Sequence, residues 1–290
     1  MSIFKRIPIP LCAVALGMFG LGNLLQSYSE GIRLLCGAVA AVLLLLFLIS
    51  VIVDFKKFLG EMKNPIMASV FCTFPMALMM LATYIKPYIG PPAKALWFVG
   101  IGLHVVLIVY FTLKFVLGFS LEKVFASWFI VYVGIAMAGI TAPAFDGMAI
   151  GSACVKFGLA ALAVLLVLVT VRYLKKPVPK PDQPLICIYA APTSLCIAGY
   201  VQSVTPKSLS LLMALWAVAT LLFVFACVKF VQYIKLPFFP SYASFTFPFV
   251  ISAIASKQLM ACAANLGSPM PFLNTVVLIE TVIAVCTTLY

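Results

Sequence analysis

The chain has 290 residues, of which 65% are hydrophobic and only 9% charged, and its mean hydropathy is +1.21. A soluble domain carries about 25% charged residues, so this composition excludes a soluble globular protein and leaves no room for a sizeable soluble domain. The formal net charge of +12 sits in short segments between apolar runs, which argues against nucleic acid as a partner and for a topology signal beside lipid.

In chain order, apolar runs long enough to cross about 30 Å of hydrocarbon are predicted at Ile9–Leu25, Leu34–Val53, Pro65–Tyr84, Ala93–Val116, Val124–Ala142, Ile150–Val171, Leu185–Val201, Leu209–Val231, Pro237–Ala255 and Phe272–Leu289. The reading is an all-α integral membrane protein with ten transmembrane helices. Lys5 and Arg6 precede the first run, but no small-residue cleavage site of the A-x-A type follows it, so it is read as an uncleaved helix rather than a signal peptide. On this map one set of loops holds 13 of the 19 basic residues and the opposite set holds 6. Basic residues stay cytoplasmic in short loops, so both termini are expected inside, at the cytoplasmic membrane of the cell. The remaining basic charge also offers a field that attracts anions.

The most informative stretch is Ser241–Lys257, SYASFTFPFVISAIASK, an apolar run with Phe-Pro in its middle. Pro10, Pro75 and Pro192 interrupt earlier runs in the same way. A proline in a helix interior removes a backbone hydrogen bond and costs about 3 kcal/mol. In lipid such breaks persist only where protein or a water-filled cavity satisfies the freed backbone. Repeated kinks therefore point to bent helices around a path. With Pro10, Pro75, Pro192 and Pro248 as anchors, and Val133 where the fifth run lacks a proline, the separations are 65, 58, 59 and 56 residues. This reads as one transmembrane domain, 1–290, of five helical hairpins at roughly 1–60, 61–120, 121–180, 181–235 and 236–290. Seven residues after each anchor stand Gly17, Ala82, Ile140, Gly199 and Ala255, four of them small enough for close helix approach. Even-numbered runs are rich in Leu and Val, suited to lipid. Odd-numbered runs carry Thr73, Thr193, Ser194, Thr246 and Ser252, hydroxyls that either satisfy freed carbonyls or line a polar path. Phe74 and Tyr132, beside the second and third anchors, join the pore-lining or kink candidates Pro10, Pro75, Pro192, Thr193, Thr246 and Pro248.

Catalytic chemistry needs titratable groups in workable arrangements, and the chain is nearly bare of them. Its one histidine is His104, its acidic residues are Glu30, Asp54, Glu61, Glu122, Asp146, Asp182 and Glu280, and no phosphate-loop or metal-ligand spacing is present. No enzymatic activity, cofactor or metal is expected. The nine cysteines lie in or beside apolar runs without a C-x-x-C pair and read as packing residues. His104 and Glu280 lie on even-numbered runs, where hydrogen bonding between helices competes with a role in proton coupling. Lys257 ends the ninth run, as an interfacial anchor or an anion-attracting residue at a pore mouth. The linker Arg172–Pro184, RYLKKPVPKPDQP, is basic and proline-rich, hence extended at the cytoplasmic face.

The ten-run, proline-punctuated chain with YASFTFPFVISAIASK near its end resembles the tellurite-resistance/dicarboxylate transporter family, which includes a bacterial tellurite-resistance protein, yeast malate and sulfite transporters and the slow anion channel of plant guard cells. The resemblance implies five hairpins in a quasi-five-fold ring, with odd helices lining a central pore, and a homotrimer with one pore per subunit. It implies that Phe247, just before the ninth-run proline, occludes the pore. Tyr132-Val133-Gly134 departs from the pattern. The expected function is an anion channel or channel-like permease for small inorganic or organic anions such as nitrate or chloride. The alternative is a secondary carrier or efflux protein for C4-dicarboxylate, sulfite or tellurite-related anions, which would be expected to place substrate-binding groups near the midplane.

Overall fold

The computed structural model describes residues 4–290 and is helical throughout, with no strand among the described residues. Its α-helices are α1 (Leu11–Leu25), α2 (Glu30–Val53), α3 (Phe55–Glu61), α4 (Pro65–Phe71), α5 (Thr73–Ile89), α6 (Pro92–Phe111), α7 (Trp128–Tyr132), α8 (Met137–Thr141), α9 (Met148–Lys175), α10 (Ala191–Ser203), α11 (Leu209–Tyr233), α12 (Phe247–Asn265) and α13 (Phe272–Leu289). Two long 3-10 segments, Lys180–Ala190 and Pro240–Phe245, lead into α10 and α12.

Among the described residues, eight helical stretches are long and apolar enough to cross a membrane, and they correspond to eight of the ten runs read from the sequence. The first and fifth runs form shorter apolar helices, Leu11–Leu25 and Gly134–Phe145. The fifth is shortened because its helix breaks at Val133, between α7 and the 3-10 turn Gly134–Ala136. Residues 1–3, within the first proposed hairpin, lie outside the described part.

The long stretches fall into two burial classes. In Pro65–Ile89, Lys180–Ser203 and Pro240–Asn265, between 72% and 89% of the residues in the apolar window are buried. In Glu30–Val53, Pro92–Val116, Met148–Lys175, Leu209–Tyr233 and Phe272–Leu289 the share is only 22–39%. The second group is the Leu/Val-rich one, and its outward side chains, such as Ile52, Val164 and Leu221, are exposed as a lipid-facing surface requires. Each inner helix packs on the outer helix that follows it: α1 on α2, α5 on α6, α8 on α9, α10 on α11 and α12 on α13. The inner helices also pack on one another, α1 on α5 and α12, α5 on α8, α8 on α10, and α10 on α12.

Local signals set the helix ends. Ser29, Asn64 and Ser208 accept backbone N–H bonds in the first turns of α2, α4 and α11, the expected N-cap role. Gly90 closes α5 at φ +65°, a conformation that only glycine adopts freely. Gly17 and Gly22 allow helices to approach closely. A Cβ on Gly17 would stand 2.7 Å from Thr246 Cβ, and one on Gly22 would stand 2.3 Å from the Tyr84 hydroxyl oxygen.

Candidate permeation site

The site begins with breaks in the inner helices. The sequence reading put the prolines inside helices, at the cost of a hydrogen bond each; the structure places them at helix starts. Pro10 immediately precedes α1, Pro75 is the third residue of α5, and Pro192 and Pro248 are each the second residue of α10 and α12. In a first turn the backbone N–H has no intrahelical partner, so proline costs little there. The chain instead bends just upstream, at Cys72, across Ala190–Ala191, and at Thr246 (φ −90°, ψ −93°).

Carbonyls at these bends also accept from hydroxyls. Thr73 Oγ1 donates to Val70 O at 2.7 Å, Ser194 Oγ and Ser252 Oγ both reach Ala190 O at 3.0 Å, and Thr246 Oγ1 donates to Ala243 O at 2.8 Å. Several bonds join consecutive inner segments: Ser69 Oγ to Ser127 Oγ at 2.7 Å, Ser244 Oγ to Pro184 O at 2.7 Å, and Thr246 Oγ1 to Ala13 O at 3.3 Å. The break at Val133 has no proline, and there His104 reaches in from α6. Its Nε2 lies 3.0 Å from Val131 O, and because a carbonyl only accepts, that nitrogen is the donor.

Two cavities lie end to end between the inner helices. The first, of about 150 Å³, is lined by all five inner segments, with Leu16, Thr73, Val133, Leu195 and Phe247 among the contributors. Its lining is almost entirely apolar, and among the described residues its single ionisable one is Asp182. The second, of about 490 Å³, is lined by Asn23, Gln26, Arg33, Gln202, Lys257, Gln258 and Phe247 with apolar neighbours. Among the described residues Phe247 is the one side chain common to both linings. It is buried and leaves α12 directly after the bend at Thr246. Opposite it, a Cβ on Gly20 of α1 would lie 3.4 Å from the ring, so α1 supplies a flat seat for the phenyl group.

The second cavity is the electropositive one. Arg33 is largely spent: its Nη1 pairs with Glu30 at 2.5 Å, its Nε bonds Asn23 Oδ1 at 3.2 Å, and its guanidinium lies 4.5 Å from the centre of the Tyr84 ring. Lys257 Nζ donates to Leu24 O at 2.9 Å and Ser27 Oγ at 2.6 Å and has no carboxylate partner among the described residues. Its charge is therefore oriented but not neutralised. Lys86 Nζ bonds Ala144 O, whose residue lines the same cavity.

The other sequence candidates divide. Pro10, Pro192, Pro248 and Phe247 line the first cavity and Lys257 the second. Pro75 and Thr246 stand at bends without lining either. Phe74, Tyr132 and Thr193 lie away from both. Phe74 stacks on Phe71 at 5.5 Å and packs against Phe47 of α2. Tyr132 bonds Thr112 at 2.8 Å and packs edge-on to Phe111. Thr193 is buried with its hydroxyl unpaired. Asp182 and the amides Asn23, Gln26, Gln202 and Gln258 were not singled out from the sequence. They sit at segment ends, where polar residues are ordinary and carry no distinguishing pattern. Glu280 is buried between α13 and α12, beside Ser256, whose Oγ accepts from Trp216 Nε1 at 3.0 Å. Neither Glu280 nor His104 lines a cavity.

Broken inner helices, a lipid-facing outer layer and cavities in series define a multi-pass membrane protein of the channel and transporter class. The chain belongs to the SLAC1 family, voltage-dependent anion channel, whose model matches residues 6–290. No curated protein sequence matches it. The family is one of anion channels and transporters, and that is the kind of function it indicates for the chain.

Proposed function

We propose that this chain is an anion channel or channel-like permease in which the two cavities form one passage and the Phe247 ring closes it. The observation that carries this reading is the position of Phe247 in both linings. An aromatic ring across a narrow apolar neck excludes a hydrated ion by volume and by making the neck unfavourable for water. Selection then rests on dehydration cost and on weak positive potential from Lys257, which favours small monovalent anions such as nitrate or chloride over cations.

The inner packing order supports five hairpins in a quasi-five-fold ring within one domain, with the odd segments inside, making ten membrane-crossing segments once the two short helices are counted. Bonds such as Ser69–Ser127 and Ser194–Ser252, each linking residues 58 apart, support the repeat. The basic asymmetry supports placing both termini at the cytoplasmic face of the cell membrane, with the first cavity opening inward. The resemblance supports a homotrimer with one passage per subunit. A second reading, a secondary carrier for C4-dicarboxylate, sulfite or tellurite-related anions, draws support from the second cavity, since about 490 Å³ lined by amides and a lysine accommodates an anion with several oxygens.

The test is current across bilayers containing purified protein, with nitrate, chloride and malate in turn. Unitary currents carried by nitrate or chloride support the channel, and saturable flux without resolvable currents supports the carrier. Thiol labelling of a cysteine placed at Lys180 checks orientation. Reaction only from the cytoplasmic side is expected, and reaction from outside intact cells overturns the topology.

A further inference from the structure

A third cavity, of about 530 Å³, opens on the outer surface between the C-terminal ends of α9 and α11. These helices pack on α10, which lies between them in sequence, rather than extensively on each other, so a slot remains. Its back is the 3-10 segment Lys180–Ala190, which contributes Ile186 and Tyr189. The slot is graded along its length. From Leu222 to Tyr233 the α11 wall rises by about 16 Å, passing from Leu222 and Phe225 to Lys229 and Tyr233, while the linker adds Lys176 and Gln183 at the polar end. Among the described residues no carboxylate lines it.

Its two cations are placed differently. Lys229 Nζ has a neutral partner, Gln232 Oε1 at 3.1 Å, and lies 5.9 Å from the Phe225 ring centre and 5.8 Å from that of Tyr233. Lys176 Nζ pairs with Glu122 at 2.9 Å, an exposed contact, and surface pairs of this kind are worth little. Arg172 is buried and tied to Lys176 O at 2.6 Å and Pro177 O at 3.2 Å. It thereby fixes the linker that forms the mouth.

We infer that this slot binds one anionic phospholipid of the adjoining leaflet, its phosphate between Lys176 and Lys229 and an acyl chain along Leu222, Phe225 and Ile186. Charge complementarity selects the headgroup, since two lysines line the mouth, no described carboxylate does, and the one acid paired with them, Glu122 on Lys176, is exposed. The apolar depth selects a lipid over a soluble anion, which would leave that length unfilled. Lys176 caps the end of α9 and Lys229 stands one turn before the end of α11, the zone where basic side chains meet anionic headgroups. The site also touches the proposed passage. Tyr189 lines the slot and packs edge-on against Phe129 at 5.3 Å, and Phe129 lines the first cavity.

Native mass spectrometry of the full-length protein, loaded with phosphatidylglycerol or phosphatidylcholine, tests the assignment. Phosphatidylglycerol is expected to be retained preferentially. The Lys176→Gln/Lys229→Gln variant is expected to lose about tenfold or more of that retention with an unchanged melting temperature. Glu122→Gln, which releases Lys176, is expected to increase it. Equal retention of the two lipids, or full retention by the double variant, overturns the proposal. So does displacement of the lipid by millimolar inorganic phosphate, which marks a soluble-anion site. A Leu222→Trp variant that loses oligomeric state while keeping its lipid also overturns it, because the slot would then be a subunit contact.

Discussion

The two cavities that meet at Phe247 are built from the same five inner segments and have opposite chemistry. On one side the walls are Leu, Val, Ala and Pro, with Asp182 alone at the rim. On the other, amides and Lys257 face a space about three times larger. The difference follows from helix direction: the first cavity is built from the starts of the inner helices, where proline and tight hydroxyl-to-carbonyl bonds occupy the polar groups. The second is built from their far ends, where Asn23, Gln202 and Gln258 keep side-chain polar groups facing the space. On the proposed reading, an anion entering from the polar side would meet attraction before it meets the dehydrating neck.

Four substitutions break or sharpen that contrast. The largest effect is expected at the seam that carries the ring. A side chain at Gly17 has no space against Thr246, so Gly17→Val must push α1 away from α12, at a cost of about 1–3 kcal/mol or more. The melting temperature falls, and an unchanged value contradicts the close approach. Next, His104→Leu removes the donor to Val131 O at the proline-free break and leaves that carbonyl unpaired, a loss of about 1–3 kcal/mol measurable by thermal unfolding. Its effect on ion selectivity should be small, because His104 lines neither cavity. Third, Lys257→Gln removes the uncompensated charge of the polar side. Anion current driven from that side should fall several-fold at low salt and recover near 1 M, where screening acts within about 3 Å; a salt-independent loss would point to a packing role. The smallest effect belongs to Asp182→Asn, which should raise anion entry from the apolar side by about twofold at low salt and leave the opposite direction unchanged.

Much of this was legible in the sequence, and the limits are physical. Composition and run length gave the membrane class, and the alternation of Leu/Val-rich with proline- and hydroxyl-bearing runs matched the division into exposed and buried helices. The prolines marked the bends to within a few residues, but proline tolerates a first turn better than an interior, so the bends lie just upstream. Side-chain direction was not legible. Phe74 and Tyr132 flank bends as Phe247 does, yet both turn toward outer helices, and only the backbone at Thr246 aims Phe247 inward. Asp182 was hidden because it reaches the cavity from a linker. The role of His104 depends on a break in a different hairpin, which local pattern does not reveal.

The central claim is that one ring divides the passage, and single-channel recording of Phe247 variants tests it most directly. If Phe247 closes the neck, anion conductance should follow the volume removed, with Phe247→Ala well above Phe247→Leu, Phe247→Leu above the wild type, and Phe247→Trp no higher than the wild type. A tenfold rise would correspond to about 1.4 kcal/mol removed from the barrier. The packing loss on shortening a buried phenylalanine, about 3–5 kcal/mol, should appear separately in the melting temperature. A folded Phe247→Ala protein with the same near-zero conductance as the wild type would contradict the account.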